Sequence, residues 1–238
     1  MLHAMLRAAA ARIYYAQEVL ADSPVAYWRL GEASGTTAVD EVGSHDGTYS
    51  GVTLGATGLL AGDTDTAVEF NNNTDYIEVA DHADFEVSTF TFECWVQLND
   101  PTLDDLWIIA DKTARSSNND SFGLWYDNRS ITGSLRTLRF HSDAWAFNWE
   151  GTAVSDALAA GVHLVAVADG TSGKIYADGV LVASGTIGVN SANSLPLRLG
   201  QIANNTTFGW DGTFDEAAFY DTALSPARIE AHYNAGTS

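Results

Sequence analysis

Asp215 makes the clearest chemical demand in the chain. In Thr213-Phe214-Asp215-Glu216-Ala217-Ala218-Phe219 it alternates with Ala217 and Phe219, so a strand covering a core points its carboxylate inward with them. A charge taken out of water is costly unless it is paired. A calcium ion, with roughly six to eight oxygen ligands, meets that demand, and so do backbone N–H and side-chain donors. Asn71-Asn72-Asn73-Thr74-Asp75 is a second oxygen-rich segment that could hold a cation at a rim.

Residues 140–150 hold the densest run of aromatic side chains. With an uninterrupted period of two, His141, Asp143, Trp145, Phe147 and Trp149 share one face. Pyranose C–H faces stack on rings while carboxylates accept hydroxyl hydrogen bonds, so Trp145, Trp149 and Asp143 form a candidate glycan platform. The same three rings could equally fill a core, the commoner fate of large aromatics. Trp107, Trp125, Tyr126 and Trp210 are dispersed, and spacing alone groups none of them.

Catalytic signatures are missing. No G-x-S-x-G elbow, H-E-x-x-H helix or Gly-rich phosphate loop occurs. The acids of the strands, such as Glu93 and Glu216, stand singly, where glycoside hydrolysis uses two facing carboxylates. The six histidines, at 3, 45, 82, 141, 163 and 232, show no ligand spacing. Cys94 alternates with Phe90, Phe92, Val96 and Leu98 and reads as a core residue. A binding protein, not an enzyme, is expected.

A chain of 238 residues suits one all-β domain with a full core. Its formal charge of -20, with Lys112 and Lys174 as the two lysines, repels nucleic acid and anionic lipid. No apolar run reaches membrane-spanning length.

Residues 2 to about 21 carry a helical pattern, with Leu2, Leu6, Ala9, Ile13, Ala16 and Leu20 on a thin heptad-like seam. Arg7 and Arg12 break the apolar core that a secretory signal needs. Residues 1–22 therefore form an N-terminal helix for oligomerisation or docking, and 23–238 form the β domain. Expected strands are 25–31, 67–71, 75–80, 89–98, 106–110, 122–126, 136–141, 145–149, 162–169, 174–178, 180–184, 195–200 and 213–220. Strand 89–98 alternates as a sheet with one face in the core. Asp178-Gly179 supplies the positive φ angles of a two-residue hairpin. Ser225 and Pro226 open a short C-terminal helix.

Several of these blocks together resemble the laminin-G-like, concanavalin A-like jelly-roll family. They are Ala26-Tyr27-Trp28-Arg29-Leu30-Gly31-Glu32, Ala67-Val68-Glu69-Phe70-Asn71, Phe90-Thr91-Phe92-Glu93-Cys94-Trp95-Val96, His163-Leu164-Val165-Ala166-Val167 and the run from Gly212 to Glu230. The resemblance implies a two-sheet antiparallel jelly-roll sandwich, all-β, with an N-terminal and a short C-terminal helix. It also implies a structural Ca2+ held by the Asp of Phe214-Asp215-Glu216, with Asp40 and Asp46 as co-ligands because first and last strands lie side by side.

Tyr15 to Leu30 further resembles the lead-in to laminin-G-like domains of phage structural proteins. That likeness implies a virion protein, a capsid decoration or tail component, docked to capsid or tail proteins through its helix as a homo-oligomer and touching host-surface glycans. The alternative is a carbohydrate-binding lectin or adhesin, extracellular or at a cell surface, not tied to a virion.

Overall fold

The computed structural model describes residues 14–71, 74–113, 121–133, 136–142, 145–203 and 207–238. The chain runs α1 (Tyr15–Ala21), β1 (Ala26–Trp28), β2 (Thr37–Ala38), β3 (Gly47–Ser50), β4 (Thr53–Thr57), β5 (Thr66–Asn71), β6 (Tyr76–Val79), β7 (Thr89–Leu98) and β8 (Leu106–Asp111). It continues through β9 (Phe122–Asp127), β10 (Thr137–Ser142), β11 (Trp145–Glu150), α2 (Thr152–Ala160), β12 (Val162–Asp169), β13 (Ser172–Ala177), β14 (Val180–Thr186), β15 (Leu197–Leu199), β16 (Asp211–Tyr220) and α3 (Pro226–Gly236).

Two antiparallel sheets of eight strands face each other, as the jelly-roll expectation required. Sheet A has the order β14-β13-β12-β7-β16-β5-β4, with β1 also paired to β16. Sheet B has the order β11-β10-β9-β8-β15-β6-β3-β2. The main core lies between them, built from Phe90, Phe92, Cys94 and Val96 of β7, Leu164 and Ala166 of β12, Phe214 and Phe219 of β16, and Phe122, Leu124, Leu138 and Phe140 of sheet B. Cys94 is fully buried there, and burial pushes its thiol well above the usual range.

The sequence leads one to expect a solvent-facing side on β7, and the structure differs. Thr91, Glu93 and Trp95 are buried as well, because α1, α3 and the Leu59–Leu60 segment cover the outer face of sheet A. Tyr15 and Val19 of α1 join Tyr27, Trp95, Val165, Tyr220 and Ile229 in this second apolar layer. Strands buried on both faces read as near-continuous apolar runs, which is how β12 reads.

The helix pattern is described only from α1 onward; Leu2, Leu6, Ala9 and Ile13 lie outside the described residues. Within α1 the side chains turned inward are Tyr15 and Val19, while Leu20 of the expected seam is 46% exposed. Arg228 of α3 binds α1 and its C-cap, donating from Nε to Asp22 Oδ2 at 2.7 Å and pairing with Glu18.

Elements not expected from the sequence are β2, β3, β4 and α2. The three strands are short and rich in Gly, Thr and Ser, and take their pairing from neighbours. Helix α2 inserts Val154 and Leu158, one turn apart, into the core. The Asp178-Gly179 turn forms as expected, with φ of 50° and 77° between Ala177 and Val180. Ser225 caps α3 by accepting from Arg228 N, with Pro226 in the first turn.

Because Val19 is fully buried beneath α3, Val19→Ala is expected to cost about 2 kcal/mol of stability, read as a lower urea midpoint at unchanged slope. An unchanged midpoint would show that α1 does not stabilise the sandwich.

Candidate functional site

The expected ligand set Asp215, Asp40 and Asp46 is not gathered at one point. Strand β16 carries a bulge between Asp215 and Ala218, centred on Glu216 at a φ of 52°. The extra residue shifts the parity of the strand. Phe214, Ala217 and Phe219 therefore face the main core, while Asp215 turns outward with Trp95, its cross-strand partner. The bulge reverses the expected alternation at Asp215. Asp215 lies buried under the Leu59 segment and accepts Leu59 N at 2.8 Å.

Asp40 serves the backbone of its own loop. Its Oδ1 accepts from Tyr27 N and Val42 N at 2.8 and 3.0 Å, and its Oδ2 from Ser44 N and His45 N at 2.9 Å each. Burial pushes the Asp40 carboxyl up, but these four donors outweigh it and hold the group below its ordinary range. Asp46 Oδ1 accepts Asp40 N at 2.9 Å. First and last strands do lie side by side, Ala26–Trp28 pairing with Phe219–Ala217, yet the three carboxylates face different neighbours.

Around Asp215 the acids outnumber the cations. Arg29 reaches Glu216 at 2.9 Å, Asp65 at 2.9 Å and Asp63 at 3.1 Å, and Tyr27 donates its hydroxyl to Glu216. Burial first, then the Glu216 charge, pushes Asp215 up to about 8. Burial likewise raises Glu216 to about 7, against the pull of Arg29 and Tyr27.

A second convergence is one that spacing did not reveal. His163 and His232, 69 positions apart by number, both meet Glu93 on the covered face of sheet A. His232 Nδ1 lies 3.1 Å from each Glu93 oxygen, His163 Nε2 lies 3.2 Å from Oε2, and Tyr220 donates its hydroxyl to Oε1. Burial alone would raise the Glu93 carboxyl; the charge of His232 and the bonds from both histidines outweigh it and hold it far below its ordinary range. All three side chains are fully buried, so this cluster ties sheet to helices and offers no substrate an approach.

The expected platform divides at a hairpin. Strands β10 and β11 pair Phe140 with Phe147 and Leu138 with Trp149, so Phe147 and Trp149 pack against the main core. His141 falls on the opposite face beside Trp125, at a ring distance of 4.1 Å, so a single period of two across 141–149 does not hold. Asp143 and the side chain of Trp145 lie outside the described residues.

The outer face of sheet B is the candidate site, because no helix covers it among the described residues. Its rows are Trp125 and Asp127 on β9, Thr137, Arg139 and His141 on β10, and Asn148 and Glu150 on β11; Asp127, Thr137 and His141 are buried, and the other four reach solvent. Trp125 stands half-buried at the centre, with its Nε1 donating to Asp111 Oδ2 at 2.8 Å. Arg139 Nε donates to Asn148 Oδ1 at 3.3 Å, and Asn148 Nδ2 donates to Glu150 Oε1 at 3.1 Å. Along one side Phe208 packs near Trp125, with the Arg129 guanidinium 5.2 Å above its ring. Rings, guanidinium, amide and carboxylate thus share one accessible surface. Trp125 and Arg139 are 14 residues apart, and only the β9–β10 register places them opposite one another.

The family model described as the concanavalin A-like lectin/glucanases superfamily matches residues 71–230. The chain belongs to that superfamily. Among solved structures, Trypanosoma rangeli sialidase in complex with the inhibitor DANA superposes with a TM-score of 0.62 at 18% identity, over 88% of this chain and 32% of the sialidase. The chain therefore spans about a third of that protein's length. Domain 4 of AbnA, a GH43 extracellular arabinanase from Geobacillus stearothermophilus, in complex with arabinotriose, superposes with a TM-score of 0.62 at 18% identity, over 88% of this chain and 98% of the domain. No curated protein sequence matches the chain.

The raised Asp215 carboxyl gives a signed pH dependence. Its pKa moves from 3.8 when unfolded to about 8 when folded, so the stability it contributes is fully present below about pH 4 and is lost as pH rises through 8. Asp215→Asn stays neutral and can still accept Leu59 N. The variant is expected to melt above the parent at pH 8 and level with it at pH 4; an equal difference at both pH values would contradict the assignment.

Proposed function

We propose that this chain is a carbohydrate-binding domain that holds a neutral glycan on the outer face of sheet B. The observation that carries this reading is the asymmetry of the sandwich. The middle of sheet A is covered by α1, α3 and the Leu59–Leu60 segment, whereas sheet B leaves a half-buried Trp125 flanked by Arg139, Asn148 and Glu150. Stacking on the indole supplies apolar contact, and the flanking groups supply donors and acceptors for ring hydroxyls. Superfamily membership supports the reading, as does the arabinotriose complex of the AbnA domain, which this chain matches over nearly the whole domain.

The charge of -20 favours a neutral over a polyanionic ligand, since an anionic polymer would approach against the protein's own field. Asp127 is tied to Arg129 through contacts of 3.0 and 2.8 Å; burial raises its carboxyl, but the Arg129 bonds outweigh that and hold it below its ordinary range, so it is poorly suited to act as a general acid. An extracellular location, like that stated for the arabinanase, suits such a ligand.

The free glycan-binding reading has more support than the virion one. Neither relative named above is a virion protein, and the described helix that would dock to a capsid turns Tyr15 and Val19 into its own domain.

The test is calorimetric titration of the full chain with arabinotriose, other neutral oligosaccharides and a sialylated one. Binding of at least one neutral sugar is expected, weakened at least tenfold in Arg139→Ala/Asn148→Ala. Asn148 is exposed, and the melting temperature serves as the control for folding. Undiminished affinity in the double variant, or no binding across the panel, would overturn the proposal.

A further inference from the structure

At the other end of sheet B, two loops meet around a set of side chains with the chemistry of a transition-metal site. His45 lies in the loop between β2 and β3, and His82 and Asp84 lie in the turn after β6. One ligand atom from each falls within 4.8 Å of the other two. His45 Nε2 lies 3.0 Å from Asp84 Oδ2, and His82 Nδ1 lies 3.2 Å from the same oxygen. With bonds of about 2.0–2.1 Å, neighbouring ligand atoms of a tetrahedral zinc stand roughly 3.3 Å apart. The two measured separations are already close to that edge.

The two imidazoles reach the same Asp84 oxygen from different loops, with their ring centroids 4.8 Å apart. Asp84 N donates to His82 Nδ1 at 3.3 Å, a weak bond that a metal on that nitrogen would replace.

Both loops are held before any metal arrives. The backbone of His45 is fixed by Asp40 Oδ2 accepting its N–H at 2.9 Å and by Trp28 Nε1 donating to its carbonyl at 2.8 Å. Its ring packs against Phe85 at 4.8 Å, one residue after Asp84. The His45 ring is buried, whereas His82 and Asp84 are about half exposed, so the site opens toward solvent on one side. A cavity of about 120 Å³ next to it, lined in part by Ser44, Asp46 and Asp81, leaves room for water at a fourth coordination position.

We propose that His45, His82 and Asp84 bind a divalent transition metal, zinc foremost, which clamps the β2–β3 loop onto the turn after β6. Two imidazoles and one carboxylate select borderline ions over calcium and magnesium, which take all-oxygen sets. The site is separate from the glycan face, which lies on β9 to β11 at the opposite end of the strand order, and the two proposals stand or fall independently.

The experiment uses the full, untagged chain stripped of metal with a chelator that is then removed. Zinc, calcium and magnesium are titrated by calorimetry and by thermal melting, and cobalt(II) by visible absorption. Zinc is expected to bind at least tenfold tighter than calcium, to raise the melting temperature by several degrees, and to be matched by the intense cobalt bands of a four-coordinate site. His82→Ala, at a side chain 54% exposed, is expected to keep the melting temperature of the metal-free parent and to lose at least tenfold in zinc affinity; Asp84→Ala gives the same loss. Zinc binding that survives in both variants, or that is no tighter than calcium binding, would overturn the assignment.

Discussion

Glu93 sits at the middle of β7 with its carboxylate removed from water, and the groups that satisfy it come from three other elements: Tyr220 from β16, His163 from β12 and His232 from α3. An unpaired buried carboxylate would be strongly destabilising, so placing the strands and the C-terminal helix where they supply these partners is strongly favoured. His232 then passes the connection on, with Nε2 3.0 Å from Asp22 at the end of α1. Burial draws His232 toward its neutral form, but the Glu93 charge and hydrogen bond outweigh it and favour the imidazolium. One acidic side chain thereby joins the beginning of the chain, the centre of sheet A and the last helix.

The consequence for function is directional. Once α1 and α3 are fixed over sheet A, the middle of that face is an interior, and Trp95, Tyr27 and Tyr220 are core residues despite their polar atoms. Sheet B is left as the broad surface of the sandwich. On its outer side a small cluster of Leu106, Ile108 and Ile202 packs against Trp125 and Phe208, and beyond it Arg139, Asn148 and Glu150 reach the surface. The same division explains why the most aromatic stretch of sequence is not simply the most exposed one: Phe147 and Trp149 look inward from an edge hairpin, and the accessible ring comes from β9.

The bulge at Glu216 has a comparable reach. It lets β16 pair with β5 through its first half and with β1 through its second, on the same edge. It also sends Asp215 to the covered face and Glu216 toward Arg29 and Tyr27. A strand without the bulge would turn one of these acids into the main core, away from the Arg29, Tyr27 and Leu59 N–H donors that they meet.

Much of the architecture was legible in the sequence because it rests on local rules. Alternation fixed the core face of β7, positive φ at Asp178-Gly179 fixed a hairpin, and Ser225-Pro226 fixed the start of α3, each requiring only a few neighbouring residues. The family blocks gave the sandwich. What the sequence could not decide was everything that depends on register and layer. Short Gly-rich strands such as β3 and β4 exist through their partners, the bulge reversed the side that Asp215 faces, and the β10–β11 hairpin broke a period that looked continuous. The groupings Glu93–His163–His232, Trp125–Arg139 and His45–His82–Asp84 join residues that are distant or irregularly spaced along the chain. Their meeting is set by cross-strand pairing and loop packing, which one-dimensional spacing does not encode.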